Sequence, residues 1–187
     1  MVTTQSTVGN QRSILTISFT CFDYSSGNSS KYLLFGNAYW SGINTYYNAE
    51  QNPAAGEDFF GFAWAGDFYS SNLSASAYMN VGTSAPMYLA DAVPNAGVVW
   101  SFKELVLQYG RYYFWVEDVF IDATLTKNVR TGRGNTAQAI LKYIHTYEEP
   151  VGSVGITAGP EDVGAGFTLQ GTPKQWSIVC IMNGLYY

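Results

Sequence analysis

The residues of this 187-residue chain best able to do chemistry are few: one histidine, two cysteines and fourteen carboxylates against nine basic side chains. Glu117, Asp118 and Asp122 stand in the otherwise aromatic and apolar run 112–123. Strand alternation puts Asp118 and Asp122 on one face and Glu117 on the other. Two carboxylates across an aromatic groove are the machinery of glycoside hydrolysis. No second strand offers a convincing partner for Glu117, and Glu57 and Asp58 fall at a loop edge, so solvated acids are the favoured reading.

His145 lies beside an apolar stripe near the end of a segment with helical spacing, where a helix C-terminus suffices to explain an imidazole. No glycine-serine nucleophile elbow accompanies it. Cys21 and Cys180 each fall on the apolar face of a terminal strand. A disulfide and a pair of buried free thiols both remain open, since the bridge needs suitable geometry and an oxidising compartment. There is no close cysteine pair, and one histidine does not complete a zinc set, so no metal site or cofactor is expected. The stretch GRGN at 132–135 lacks both the Walker and the dinucleotide signatures. Lys127, Arg130 and Arg133 therefore read as a solvated charged loop. The tripeptides at 28–30 and 72–74 match the glycan-acceptor pattern, which matters only in a glycosylating secretory compartment.

The strongest ligand candidate is the stretch 39–52, where Trp40, Asn44, Tyr46, Tyr47 and Asn48 mix rings with amides. Aromatic rings pack on sugar C–H faces while amides supply directional bonds. Aromatics make up 17% of the chain, enough to seal a core and leave rings over. A carbohydrate-binding, lectin-like module without catalysis is the first reading. A self-associating structural or surface protein is the alternative, with Tyr112, Tyr113, Trp115, Tyr186 and Tyr187 as contact candidates, and a glycoside hydrolase comes third. The expected partner is a glycan or another protein, including further copies of the chain.

Composition excludes other classes. With 47% hydrophobic and 12% charged residues the chain can bury a core. A net charge of -5 disfavours a phosphate backbone, so nucleic acid is not an expected partner. No apolar run approaches the roughly 20 residues of a membrane helix. The first fifteen residues lack the pattern of a secretion signal, and no compartment is assigned.

The elements that must position these groups read as mainly β. Residues 14–22 and 73–81 alternate cleanly, 32–40 forms a strand with a bulge or bend at Gly36 and Asn37, and 59–69 forms a bent strand. Residues 112–123 form a central strand, and 154–156, 167–169 and 176–182 supply further β material. Two short helices are expected. One covers 101–110, with Ser101 and Glu104 as a capping box and Gly110 as its stop. The other covers 136–147, capped by Asn135, with Ala137, Ile140, Leu141 and Ile144 as its stripe. The sum is one β-rich domain over residues 1–187, a β-sandwich or jelly-roll-like barrel with one or two peripheral helices and a flexible lead-in over 1–12.

Overall fold

The computed structural model describes residues 1–9, 14–41, 56–66, 68–109, 112–127, 136–146, 153–157, 166–171 and 175–186. Its strands in chain order are β1 (Val2–Gly9), β2 (Ile14–Asp23), β3 (Ser30–Ser41), β4 (Glu57–Trp64), β5 (Tyr69–Met79), β6 (Ser84–Ala85) and β7 (Tyr88–Val93). They continue with β8 (Gly97–Lys103), β9 (Leu105–Tyr109), β10 (Tyr112–Lys127), β11 (Thr136–Thr146), β12 (Val154–Thr157), β13 (Gly166–Leu169) and β14 (Gln175–Tyr186).

A β-sandwich results. One sheet runs β1-β2-β3-β10-β5-β6, with β9 pairing the early part of β10, and the facing sheet runs β14-β11-β4-β8-β7. Every pairing is antiparallel. The alternation in β2 and β3 does what its period requires. Leu15, Ile17, Phe19 and Cys21 turn inward with Tyr32, Leu34, Ala38 and Trp40, and meet Phe60, Phe62, Leu141, Tyr143, Ile178 and Cys180 of the other sheet. Phe19 and Phe62 face across the gap with centroids 5.5 Å apart. Neither sheet closes on itself, so the jelly-roll barrel alternative gives way to the open sandwich. Residues 2–9, expected to be a loose lead-in, pair with β2 along the whole of β1.

Gly36 makes no bulge. It holds regular register with Phe19 on one side and Ile121 on the other. Its role is space: a Cβ there would lie 2.7 Å from Leu141 Cδ1 and 3.0 Å from Ile121 Cγ1. Where β10 pairs with β5 the register shifts twice, and Asn72 adopts φ 50° at one of these irregularities.

Both expected helices are corrected to strands. Residues 136–146 form β11, the strand between β14 and β4. Its inner side meets the main core, while Ile144 on the other side packs under the β12–β13 hairpin with Phe59, Val99, Phe167 and Leu169. A strand buried on both faces loses its period of two, so apolar spacings of three and four arise without a helix. Residues 101–109 are corrected in the same way, 101–103 ending β8 and 105–109 forming β9. Ser101 hydrogen-bonds Glu57 Oε1 at 2.7 Å instead of capping a helix. Among the described residues there is no helix. The central place given to 112–123 stands, since β10 lies between β3 and β5.

Candidate functional site

Five strands begin or end at one end of the sandwich: β3 at Ser41, β4 at Glu57, β8 at Lys103, β11 at Thr146 and β14 at Gln175. Antiparallel register then stacks what the sequence separates. Asp58 pairs with Phe102, Ile144 with Phe59, and His145 with Trp176. Glu104 follows directly on β8. Asp58, Glu104 and His145 are brought together, each no more than 1% exposed.

His145 Nδ1 lies 3.1 Å from Asp58 Oδ2 and 3.3 Å from Glu104 Oε2. The Tyr143 hydroxyl donates to Asp58 Oδ2 at 2.5 Å, and the Thr146 amide donates to Asp58 Oδ1 at 3.0 Å. Trp40 Nε1 donates in turn to the Tyr143 hydroxyl at 3.3 Å. Neither Glu104 oxygen takes part in a hydrogen bond. Trp176 and Trp40 wall the imidazole, with ring centroids 5.0 and 6.0 Å away. Burial, reinforced by the neighbouring Asp58 charge, pushes the Glu104 carboxyl well above its ordinary range. Burial does the same to the Tyr143 hydroxyl, with Asp58 and Glu104 adding to it. A group so placed can hold a proton or a cation, but its lack of exposure gives an external substrate no approach to these atoms.

The ligand set expected from the sequence is placed only in part. Trp40 ends β3 on its inner face, 8% exposed, against Tyr143 and Trp176. Asn44, Tyr46, Tyr47 and Asn48 lie outside the described residues. Other rings reach the surface, among them Tyr186, one of the expected contact residues. Phe35, Tyr39, Phe120 and Tyr78 share the outer face of the larger sheet, Phe120 lying 6.1 Å from both Phe35 and Tyr78. Asp118 and Asp122 share this face as alternation requires. Asp118 is paired with Tyr39 and Tyr78, and Asp122 with Phe35, while Asp122 accepts a hydrogen bond from Ser74. Burial raises the Asp118 carboxyl against the lowering effect of Asn37, and raises Glu117, which sits at a β-bulge, with help from Asp118. The outward rings could have been found by applying to Phe35 and Tyr39 the same alternation that turns Leu34 and Ala38 inward.

Cys21 and Cys180 are buried free thiols. Cys180 Sγ donates to the Ile17 carbonyl at 3.6 Å. Lys142 donates to the Phe167 carbonyl at 2.8 Å beside a recess of about 210 Å³ lined by Ile144, Leu169 and Trp176. That is below the roughly 300 Å³ at which small-molecule pockets begin.

The two lateral sides differ. On one, β1 and β14 are tied by Ser6 Oγ donating to the Val179 carbonyl at 2.9 Å. Ser30 and Tyr32 both donate to the Tyr186 carbonyl, at 3.0 and 2.9 Å. On the other side, β5 is paired beyond β10 by the two-residue β6 at Ala77 and Tyr78, with further backbone bonds at its ends, from Ser70 to the Pro94 carbonyl and from Met79 to the Thr83 carbonyl. Among the described residues, no backbone is paired to the outer edge of 71–76. Tyr69, Tyr88 and Leu89 stand 65%, 60% and 58% exposed there, with Leu73 and Val81 also exposed.

No family model matches the chain, and no curated protein matches it. Among solved structures, a chain described as "Pore forming protein" aligns over 97% of this chain and 91% of its own, at 10% identity and a TM-score of 0.43. No described helix is long and apolar enough to cross a membrane.

Proposed function

We propose that the chain is a self-associating β-protein that assembles through the β5–β7 side of its sandwich. The observation carrying this reading is the open outer edge of 71–76, in line with the exposed Tyr69, Leu73, Tyr88 and Leu89. An edge of unpaired backbone groups is a template for another strand, and natural proteins guard such edges with lysine or proline. The stretch Ser71–Ser76 carries neither and has no charge at all; its guard is the Asn72 bulge alone. A second copy fits best, because a strand meeting its own image antiparallel across a two-fold axis makes a closed, isologous contact, and this one brings no like charges together. Pairing would cover the apolar side chains of both copies.

The second reading, a sugar-binding platform, draws on the outward rings Phe35, Tyr39, Tyr78 and Phe120 beside Asn37 and Asp118. Rings with polar groups between them suit the apolar and hydroxyl faces of a saccharide.

Sedimentation velocity over a rising concentration series decides the first reading, with a glycan array run on the same preparation. The expected outcome is reversible association that Leu89→Lys weakens at least about tenfold, equivalent to about 1.4 kcal/mol. A wild-type chain that stays monomeric throughout would overturn self-association, and selective glycan binding by that monomer would establish the platform.

A further inference from the structure

We infer that Asp58, Glu104 and His145 form a binding site for one zinc-class divalent cation inside the sandwich. The inference is independent of self-association, since no atom of this cluster belongs to the β5–β7 side.

Geometry supports it first. Bonds of about 2.0–2.1 Å in a tetrahedral zinc site put neighbouring ligand atoms roughly 3.3 Å apart. Two of the three spacings match this, since His145 Nδ1 lies 3.1 Å from Asp58 Oδ2 and 3.3 Å from Glu104 Oε2; the carboxylate oxygens lie within 4.8 Å of each other, and a bound ion holds them at the shorter spacing. The second support is Glu104 itself. Its side chain is 99% buried, it takes part in no hydrogen bond through either oxygen, and it is aimed at the imidazole nitrogen that Asp58 also faces. A buried carboxyl group that accepts no hydrogen bond is stable there only when a proton or a neighbouring cation neutralises it, and a metal ion can take that place. Once loaded, with both carboxylates deprotonated and the imidazole neutral, the ligands sum to -2, which a dication cancels.

The set also selects the kind of cation. Calcium and magnesium ask for six or more oxygens, whereas one imidazole nitrogen with two carboxylates suits zinc, cobalt or iron. Outer partners are in place. Tyr143, held by Trp40, donates to Asp58 Oδ2, and the Thr146 amide donates to Asp58 Oδ1, so that carboxylate is oriented before an ion arrives. The rings of Trp176 and Trp40 restrain His145 with Nδ1 turned towards the acids. Loading requires Nδ1 and both carboxylates to be free of protons, so uptake releases any proton they share and weakens in acid.

The test uses the intact chain, stripped with a chelator, dialysed and titrated with Zn²⁺ alone. One equivalent of tightly held zinc by elemental analysis is expected, with a rise in melting temperature that chelator reverses. Replacing zinc with Co²⁺ should give the intense visible bands of a four-coordinate ion. Glu104→Gln, which keeps shape and burial, should lower zinc affinity by at least about tenfold while the protein stays folded. If that variant does not fold, the cobalt spectrum of the wild-type chain decides: bands of octahedral weakness, or none, overturn the site. A wild-type melting temperature indifferent to zinc and chelator overturns it too, as does equal zinc binding by wild type and Glu104→Gln.

Discussion

The two lateral sides of the sandwich are built from the same kind of strand but finished differently. Where β1 meets β14, side chains of one sheet reach main-chain carbonyls of the other: Ser6 to Val179, and Ser30 and Tyr32 to Tyr186. Where β5 runs opposite β7, Ser70 reaches the Pro94 carbonyl through both its amide and its hydroxyl, and beyond that tie Leu73, Tyr88 and Leu89 point to solvent. The contrast teaches that an edge is closed by reach. Tyr32 spans the gap because its ring traverses the core and ends in a donor.

The comparison breaks most visibly at the core of the closed side. Phe19→Ala removes a fully buried ring packed on Phe62, and urea unfolding should show a loss of about 3–5 kcal/mol. Leu89→Lys on the open side, the variant that tests assembly, should change monomer stability by no more than about 0.5 kcal/mol. Similar losses at the two positions would erase the distinction.

A finer cut isolates reach from burial. Tyr32→Phe keeps the ring and deletes the hydroxyl that bonds Tyr186 and Ser25, so the expected cost is about 1 kcal/mol by the same unfolding measurement. A cost near zero would mean that the closed side is held by packing alone.

A pH-dependent effect concerns Cys21, which also lies towards the closed side. Burial, with a contribution from Asp23 and against the pull of the N-terminal amine, pushes its thiol up to about 11. Between pH 9 and 11 the unfolded chain gives up this proton while the folded chain keeps it, so the folded state binds more protons and stability falls as pH rises. Melting temperatures of wild type and Cys21→Ala should therefore converge or cross on going from pH 8.5 to 10.5. Parallel curves would show that the thiol is not sealed.

How much of this was legible depended on whether a strand has one buried face or two. Residues 14–22 and 176–182 announced themselves because one side faces the core and the other is more open, and alternation records that directly. In 136–146 apolar residues occupy both sides, because the β12–β13 hairpin covers the face that would otherwise be wet. The sequence of β11 alone contains no sign of that cover. The cluster was hidden for a different reason. Asp58 read as the rim of a loop, Glu104 as half of a capping box and His145 as a helix terminus, each explained locally. Only the register of β4 against β8 and β11 unites them. One signal was present: Asp58 directly precedes FFGFAW, and an acid beside a run too apolar to be solvated needs a buried partner. Ring placement was half legible, since Trp40 went to the interior while its neighbour Tyr39 went out.

The missing side chain at Gly36 shapes more than its own position. Leu141 and Ile121 occupy the space that any larger residue would need. Four residues farther along the same strand, roughly 13 Å away at ordinary strand rise, Trp40 contributes one of the bulkiest side chains available. β3 therefore behaves as a tapered wedge, narrow beneath the middle of the sandwich and broad at its end. The taper lets tightly apposed sheets coexist with a chamber of indoles and phenol wide enough to enclose charged groups, and lengthening the narrow end would pry that chamber open from a distance.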